Sequence, residues 1–277
     1  MTFRPRTKEL IITSKVRFPD FREDFKRYLE YQLSIPIFSR QTKLAVDRIK
    51  HEDGKIEDLV EIIDRDPGLV VEIIKLANSA AFGDKPPVTS TKQAVLRMGA
   101  DNVLAAAISH GALTNLPESL SEELRGHSFW TGVFVKLLTV GTKLDHEMLY
   151  TASLLHDIGL TIMLSFLISK HSPLFANAGC IDEVASFGLT HAEVGYIFLT
   201  KIGFPDQIRN IVRSHHNHEE HSQDTNLLTI QLAEALAAKK LGSCPDNIET
   251  IVSIDVAATK LSPPSSIEKI LQLSGVS

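Results

Sequence analysis

The chain has 277 residues, 43% of them hydrophobic, 6% aromatic and 23% charged, with 29 basic against 34 acidic side chains and a formal net charge of −5. This is ordinary globular composition, which excludes a disordered or low-complexity chain and leaves room for one large core or two smaller lobes. The acidic balance excludes the broad basic face with which proteins neutralise nucleic-acid phosphates.

Taken in chain order, MTFRPRTKEL is basic, but no apolar stretch with a small-residue cleavage site follows, so no secretory leader is expected. Asp66-Pro67 predicts a helix start, with an N-cap followed by proline at the first helical position. Leu69, Ile73, Leu76, Ala77 and Ala80 then fall on one face. Ser90 with Gln93 has capping-box spacing and opens a helix through Ala94, Val95 and Met98 that Gly99 ends. Asp101 is expected to cap the next helix, rich in alanine from Ala105 to Ala107. The pattern breaks from Leu116 to Glu122 around Pro117, which marks a hinge between lobes.

The second lobe starts with a helix through His127 and continues through Leu149 to Ile168. The apolar run Ile158 to Ile168 is well short of the roughly 20 residues that span a bilayer, so a cytoplasmic protein without a membrane partner is expected. Thr190 with Glu193 forms a second capping box, Gly203-Phe204-Pro205 stops that helix, and Asp206 starts one that reaches His215 and His216. The SPPSS stretch from Ser262 to Ser266 is a loop before a short last helix. Alternating strand patterns are almost absent, so the fold class is all-α. Cys180 and Cys244 are too isolated for a disulfide framework or a thiolate site and are read as plain thiols.

The 11 histidines are unevenly spread, and several sit on apolar helix faces. His156 continues the stripe of Leu149 and Ala152, with Asp157 beside it; His215 follows Ile208 and Ile211, and His216 follows Val212. His191 lies in the first turn of its helix on the face of Val194, Gly195 and Phe198. His127 has Glu123 one turn before it, and Glu234 sits in the apolar LTIQLAEALA, where a carboxylate must be exposed, paired or bound to metal. Imidazole nitrogens with carboxylate oxygens suit Mn, Fe, Zn or Mg, as one ion or two. Two ions bridged by a carboxylate would lower the pKa of a water and stabilise the transition state of phosphoester hydrolysis. His51, His110, His146 and His171 lie near predicted helix ends and loops and lack partner spacing, His218 and His221 extend a polar tail read as solvated surface, and Phe129 and Trp130 read as core.

The segment TASLLHDIG, containing His156-Asp157, resembles the signature of the HD superfamily of metal-dependent phosphohydrolases, and the other segments resemble its HDOD branch. These are LSIPIF at Leu33 to Phe38, DPGLVVEIIKLANSAAFG at Asp66 to Gly83, TSTKQAVLRMG at Thr89 to Gly99, and THAEVGYIFLTKIGFP at Thr190 to Pro205, ending in His215-His216. The resemblance implies a two-lobed helical bundle over about residues 20–240, with an N-terminal helical lobe to about 117 and an HD-like lobe from about 121. Residues 1–19 and 241–277 are then extensions. Residue by residue, it implies metal ligation by His127, His156, Asp157, His191, His215 and His216, with Glu123 matching an extra upstream carboxylate of some HD-GYP phosphodiesterases and Glu234 falling where they place an aspartate. His156 and Asp157 would be catalytic only in a hydrolase.

HDOD proteins are similar to HD-GYP enzymes in the second lobe but are regarded as signalling or output modules. The resemblance therefore implies a scaffold whose helical surface contacts a regulatory protein partner, with any metal centre in the HD-like lobe structural or vestigial, and a phosphohydrolase acting on a nucleotide or phosphoester ligand as the alternative. Two departures favour the scaffold. Leu160 stands where HD-GYP enzymes carry a phosphate-holding lysine, and Asn217-His218-Glu219 follows His216 in place of a GYP motif. No receiver, kinase or GGDEF-like segment fits outside the matched region, so sensing is expected to come from another protein or a small ligand. TSTKQAVLRMG and the following helix superficially resemble a helix-turn-helix, but the acidic balance makes an ordinary helix pair the expectation and nucleic acid an unexpected partner.

Overall fold

A computed structural model describes residues 20–32, 55–83, 85–114, 116–171, 183–217 and 224–242. The LSIPIF segment, His51, His218, His221, both cysteines and the SPPSS loop with its last helix lie outside the described residues. The fold is all-α, and no strand occurs among the described residues.

α1 (Arg22–Arg27) runs into a π-helical turn, Tyr28–Gln32, and its Phe25 is fully buried against Phe166 and Phe187. α2 (Ile56–Asp64) precedes α3 (Pro67–Ala77), which begins as expected, the Asp66 carboxylate accepting from the Leu69 N–H at 3.1 Å. Ala80 lies beyond α3, in a short 3-10 turn, Ala80–Phe82. In α4 (Thr91–Met98) the Ser90 hydroxyl accepts from the Gln93 N–H, but the Gln93 side chain reaches back to the N–H of Thr89, one residue further than a capping box requires.

Asp101 does not cap α5 (Ala100–Leu113). Gly99, at φ +81°, is both the end of α4 and the cap of α5, so Asp101 falls inside the first turn. α5 is buried from Asn102 to Leu113 except at Ser109, which leaves it no free face to lay in a DNA groove.

Pro117 caps α6 (Glu118–Thr139), whose second half, from Thr131 on, is buried. The stretch from Leu149 to Ile168 falls in two helices, α7 (His146–Leu155) and α8 (Ile158–Ser169), interrupted at His156-Asp157. His146–Ser169 is long and apolar enough to cross a membrane, but the window is 83% buried inside the fold, and its apolarity belongs to the core. A short α9 (Glu183–Phe187) leads to α10 (His191–Lys201), which carries the full capping box of Thr190 and Glu193 and stops before Gly203 at φ +78°. α11 (Asp206–Ser214) and α12 (Thr225–Lys240) complete the bundle.

One continuous apolar cluster runs from Phe25 through Ile73, Ile108, Phe134, Leu149 and Phe198 to Ile230. Around it α12 lies along α6, α6 along α7, and α10 between α8 and α11. The α8–α10 contact is unusually close because both helices present glycine. A Cβ on Gly159 would lie 1.9 Å from the His191 carbonyl oxygen and 2.6 Å from the Gly195 nitrogen. This approach brings the first turn of α10 to the α7–α8 break.

Candidate metal centre

The interruption at His156-Asp157 is where the site begins. α7 ends with carbonyls that lack intrahelical donors, and the His156 ring satisfies one of them, its Nδ1–H donating to the Ser153 carbonyl at 2.7 Å. The same device closes α11, where the Nδ1–H of His215 donates to the Val212 carbonyl at 2.7 Å. A carbonyl can only accept, so each bond fixes the proton on Nδ1 and leaves an Nε2 lone pair pointing inward. Both residues are fully buried, and the His156 Nε2 atom has no hydrogen-bond partner of acceptable geometry. A buried nitrogen acceptor without a donor is costly unless something outside the protein satisfies it.

Asp157 lies among these rings with its two oxygens facing different sets. Oδ2 is 3.3 Å from His156 Nε2 and 3.7 Å from Nε2 of His127, which reaches in from the middle of α6. Oδ1 is 3.5 Å from the Nε2 atoms of both His191 and His215. His216 completes the second set, its Nε2 standing 2.9 Å from His191 Nε2. Two donor groups result, His127–His156–Asp157 and Asp157–His191–His215–His216, the donor atoms in each lying within 4.8 Å of one another. Asp157 belongs to both groups, as a carboxylate bridging two ions would.

His191 shows why this donor set fits a cation. Its Nδ1–H donates to Glu183 Oε1 at 2.7 Å, which leaves Nε2 as an acceptor. The Nε2 lone pairs of His191 and His215 then face each other at 3.4 Å, beside the carboxylate oxygen of Asp157. Acceptors crowded in this way repel unless a proton or a metal ion sits among them. Nitrogen and carboxylate oxygen without thiolate suit Mn, Fe, Zn or Mg. The described residues include no Lys or Arg ion-paired with Asp157 or Glu234.

The electrostatics agree. Burial opposes ionisation of Asp157, yet the charge and hydrogen bonding of His156, with those of His215, hold its carboxyl well below the usual carboxylate range. Burial likewise opposes a charged His156, but the Asp157 carboxylate beside it pushes the ring up to about 9. His127 is pushed down to about 4, by burial first and then by repulsion from His156. His216, nearly half exposed, is pushed down to about 3, by desolvation where its ring enters the cluster and then by His215 and His191. The cluster thus holds an anionic carboxylate and neutral rings at His127 and His216, while His156 and His191 are held above the ordinary histidine value and would give up a proton to a bound metal.

The two outlying carboxylates differ from each other. Glu234 Oε1 lies 3.8 Å from His216 Nδ1, at the rim of the second group, with its carboxyl raised by burial. Glu123 is exposed on α6 and belongs to neither donor group. Glu183 was not visible as a site residue from sequence. It lies eight positions before His191, on a separate short helix, and no helical periodicity links the two. Leu160 packs with Leu113, Leu116 and Leu164 in a satellite apolar cluster. Outside the site, His110 is buried in the last turn of α5, with Nε2 4.0 Å from Asp66 Oδ1. Phe129 and Trp130 pack against the main core as expected.

Comparison with known proteins bears on this geometry. The model of the HDOD domain matches residues 35–218. An uncharacterized protein of Treponema pallidum (strain Nichols) is 26% identical over 181 residues, 61% of this chain; the match spans only 35% of that relative's length. Among solved structures, a Shewanella amazonensis SB2B protein named "Putative metal-dependent phosphohydrolase" superposes with a TM-score of 0.64 at 18% identity, over 91% of this chain and 95% of its own. A Marinobacter aquaeolei VT8 protein named "Putative signal transduction protein" gives 0.51 at 16% identity, over 89% of this chain and 60% of its own. At these identities the two structures show a shared fold.

Proposed function

The chain belongs to the HDOD family, and from that premise we propose that it is a signal-transduction module that acts by contacting a regulatory protein and carries a metal centre in its HD-like half. The observation that carries the metal centre is the division of Asp157 between two sets of inward imidazole nitrogens, among them a buried His156 Nε2 that stands 3.3 Å from Asp157 Oδ2 without a well-aligned hydrogen bond. His127 and His156 would hold an ion on the Oδ2 side, and His191, His215 and His216 one on the Oδ1 side, with Glu234 at the rim. A divalent cation bound there supplies Lewis acidity toward an anionic ligand. The protein's own part is to fix three of the rings through their Nδ1 protons and to keep Asp157 ionised.

Leu160 supports signalling over turnover. Its side chain is committed to the apolar contact with Leu113, Leu116 and Leu164, so the turn after Asp157 offers no cationic anchor for a substrate phosphate. A phosphohydrolase is the second reading, favoured by the bridging disposition of Asp157. Elemental analysis of the full chain after loading with Mn, Fe or Zn, with a turnover screen over cyclic dinucleotides, nucleotides and simple phosphodiesters, tests both. Stoichiometric metal without turnover is expected. Robust turnover lost in His156→Ala would replace the scaffold reading with the hydrolase, and failure to take up any metal would remove the centre altogether.

A further inference from the structure

We infer that Glu183 is a positioning residue that sets the metal affinity of the His191 half of the centre, an inference that rests on the metal-centre reading above. The carboxylate spends both oxygens on a single residue. Oε1 accepts from the His191 ring at Nδ1 and Oε2 from the His191 backbone N–H, each at 2.7 Å. The backbone donor is otherwise an orphan of the first turn of α10, because the Thr190 hydroxyl serves the N–H of Glu193 instead. Gripping main chain and ring together fixes the ring's rotation and its tautomer, so that Nε2 faces Asp157, His215 and His216.

Glu183 also differs in kind from the outer partners of the neighbouring ligands. His156 and His215 lean on backbone carbonyls of their own helices, which no side-chain change removes. Glu183 instead arrives from α9, which is held in place by α1. The Phe21 N–H donates to the Ser186 carbonyl at 2.9 Å, and Phe25 packs on Phe187 with ring centroids 4.9 Å apart. A carboxylate behind a ligating imidazole raises its basicity as well as orienting it, and loss of such a partner characteristically weakens metal binding about 10–100-fold.

The test is a Co2+ titration of the full chain, followed by visible absorption, for wild type, Glu183→Gln and Glu183→Ala, with His191→Ala to identify the absorption of the half it belongs to. Glutamine keeps one acceptor and alanine none. Both variants are expected to bind the ion at His127 and His156 within about twofold of wild type. Binding of the other should fall about 10–100-fold, with the change in absorption confined to the His191 half. In the metal-free protein, 15N resonances of His191 should leave the single Nδ1–H tautomer in Glu183→Ala. If that variant does not fold, Glu183→Gln carries the test alone. Folded variants with unchanged affinity, spectrum and tautomer would overturn the role of Glu183 while leaving the centre intact. Failure of the wild type to bind any Co2+ would overturn both.

Discussion

Replacing Gly159 with alanine isolates the contact on which the centre depends. Gly159 is the second residue of α8, where alanine would by propensity alone favour the helix by up to about 1 kcal/mol. The tertiary contact works the other way. The new Cβ would stand 1.9 Å from the His191 carbonyl oxygen and 2.6 Å from the Gly195 nitrogen, both main-chain atoms that cannot rotate aside. The carbonyl would have to recede by roughly 1.5 Å to reach ordinary contact, so α10 must shift as a unit and carry the His191 ring with it. Overpacking of this kind costs about 1–3 kcal/mol and sometimes more. With backbone on both sides the upper part of that range, about 2–3 kcal/mol, applies, and a net loss of about 1–2 kcal/mol remains after the propensity gain. That corresponds to a fall in Tm of roughly 2–8 °C, measurable by circular dichroism. Gly126→Ala is the control, because among the described residues its new Cβ would meet Leu241 Cδ2 alone, at an ordinary 3.8 Å, and a gain of about 0.5–1 kcal/mol is expected. A Gly159→Ala protein as stable as wild type and binding metal as tightly would refute the claim that the α8–α10 approach sets the site.

Other outcomes follow from the same structure. Asp157→Asn should remove metal from both halves at once, read by elemental analysis, whereas His127→Ala should spare the His191 half. Thr190→Ala removes the hydroxyl that caps α10 and is expected to cost about 1 kcal/mol in urea denaturation. His110 is held below its ordinary 6.5, first by burial and then by the Arg125 charge, against the opposing pull of Asp66 and Glu72. The unfolded chain therefore binds this proton more readily, so the contribution of His110 is present above pH 6.5 and is lost as pH falls toward its lower folded value. In His110→Gln the loss of stability between pH 7 and pH 5 should accordingly be smaller than in wild type, and an identical pH profile would exclude the effect.

Local features were legible because they are decided within one or two helical turns. Asp66 with Pro67, Thr190 with Glu193, and the stop at Gly203 each satisfy the orphan groups of a single helix end, and each is found where spacing puts it. Reading failed where two neighbouring rules compete. Asp101 has the right chemistry for a cap, but Gly99 already occupies that place. The stretch from Leu149 to Ile168 has an unbroken apolar pattern, and only the ring bond of His156 to Ser153 and the turn of the chain at Asp157 reveal the break between its two helices.

By itself the sequence determined the helical class, the family resemblance and the inward faces on which the histidines lie, since periodicity of 3.6 residues is a property of each segment alone. Tertiary structure decided which of those residues meet. The two oxygens of Asp157 facing separate ring sets, the exposure of Glu123 and the arrival of Glu183 behind His191 all depend on the angles and distances between helices. The glycines at 159 and 195 set one of those distances, and hydrophobic pattern carries no information about it.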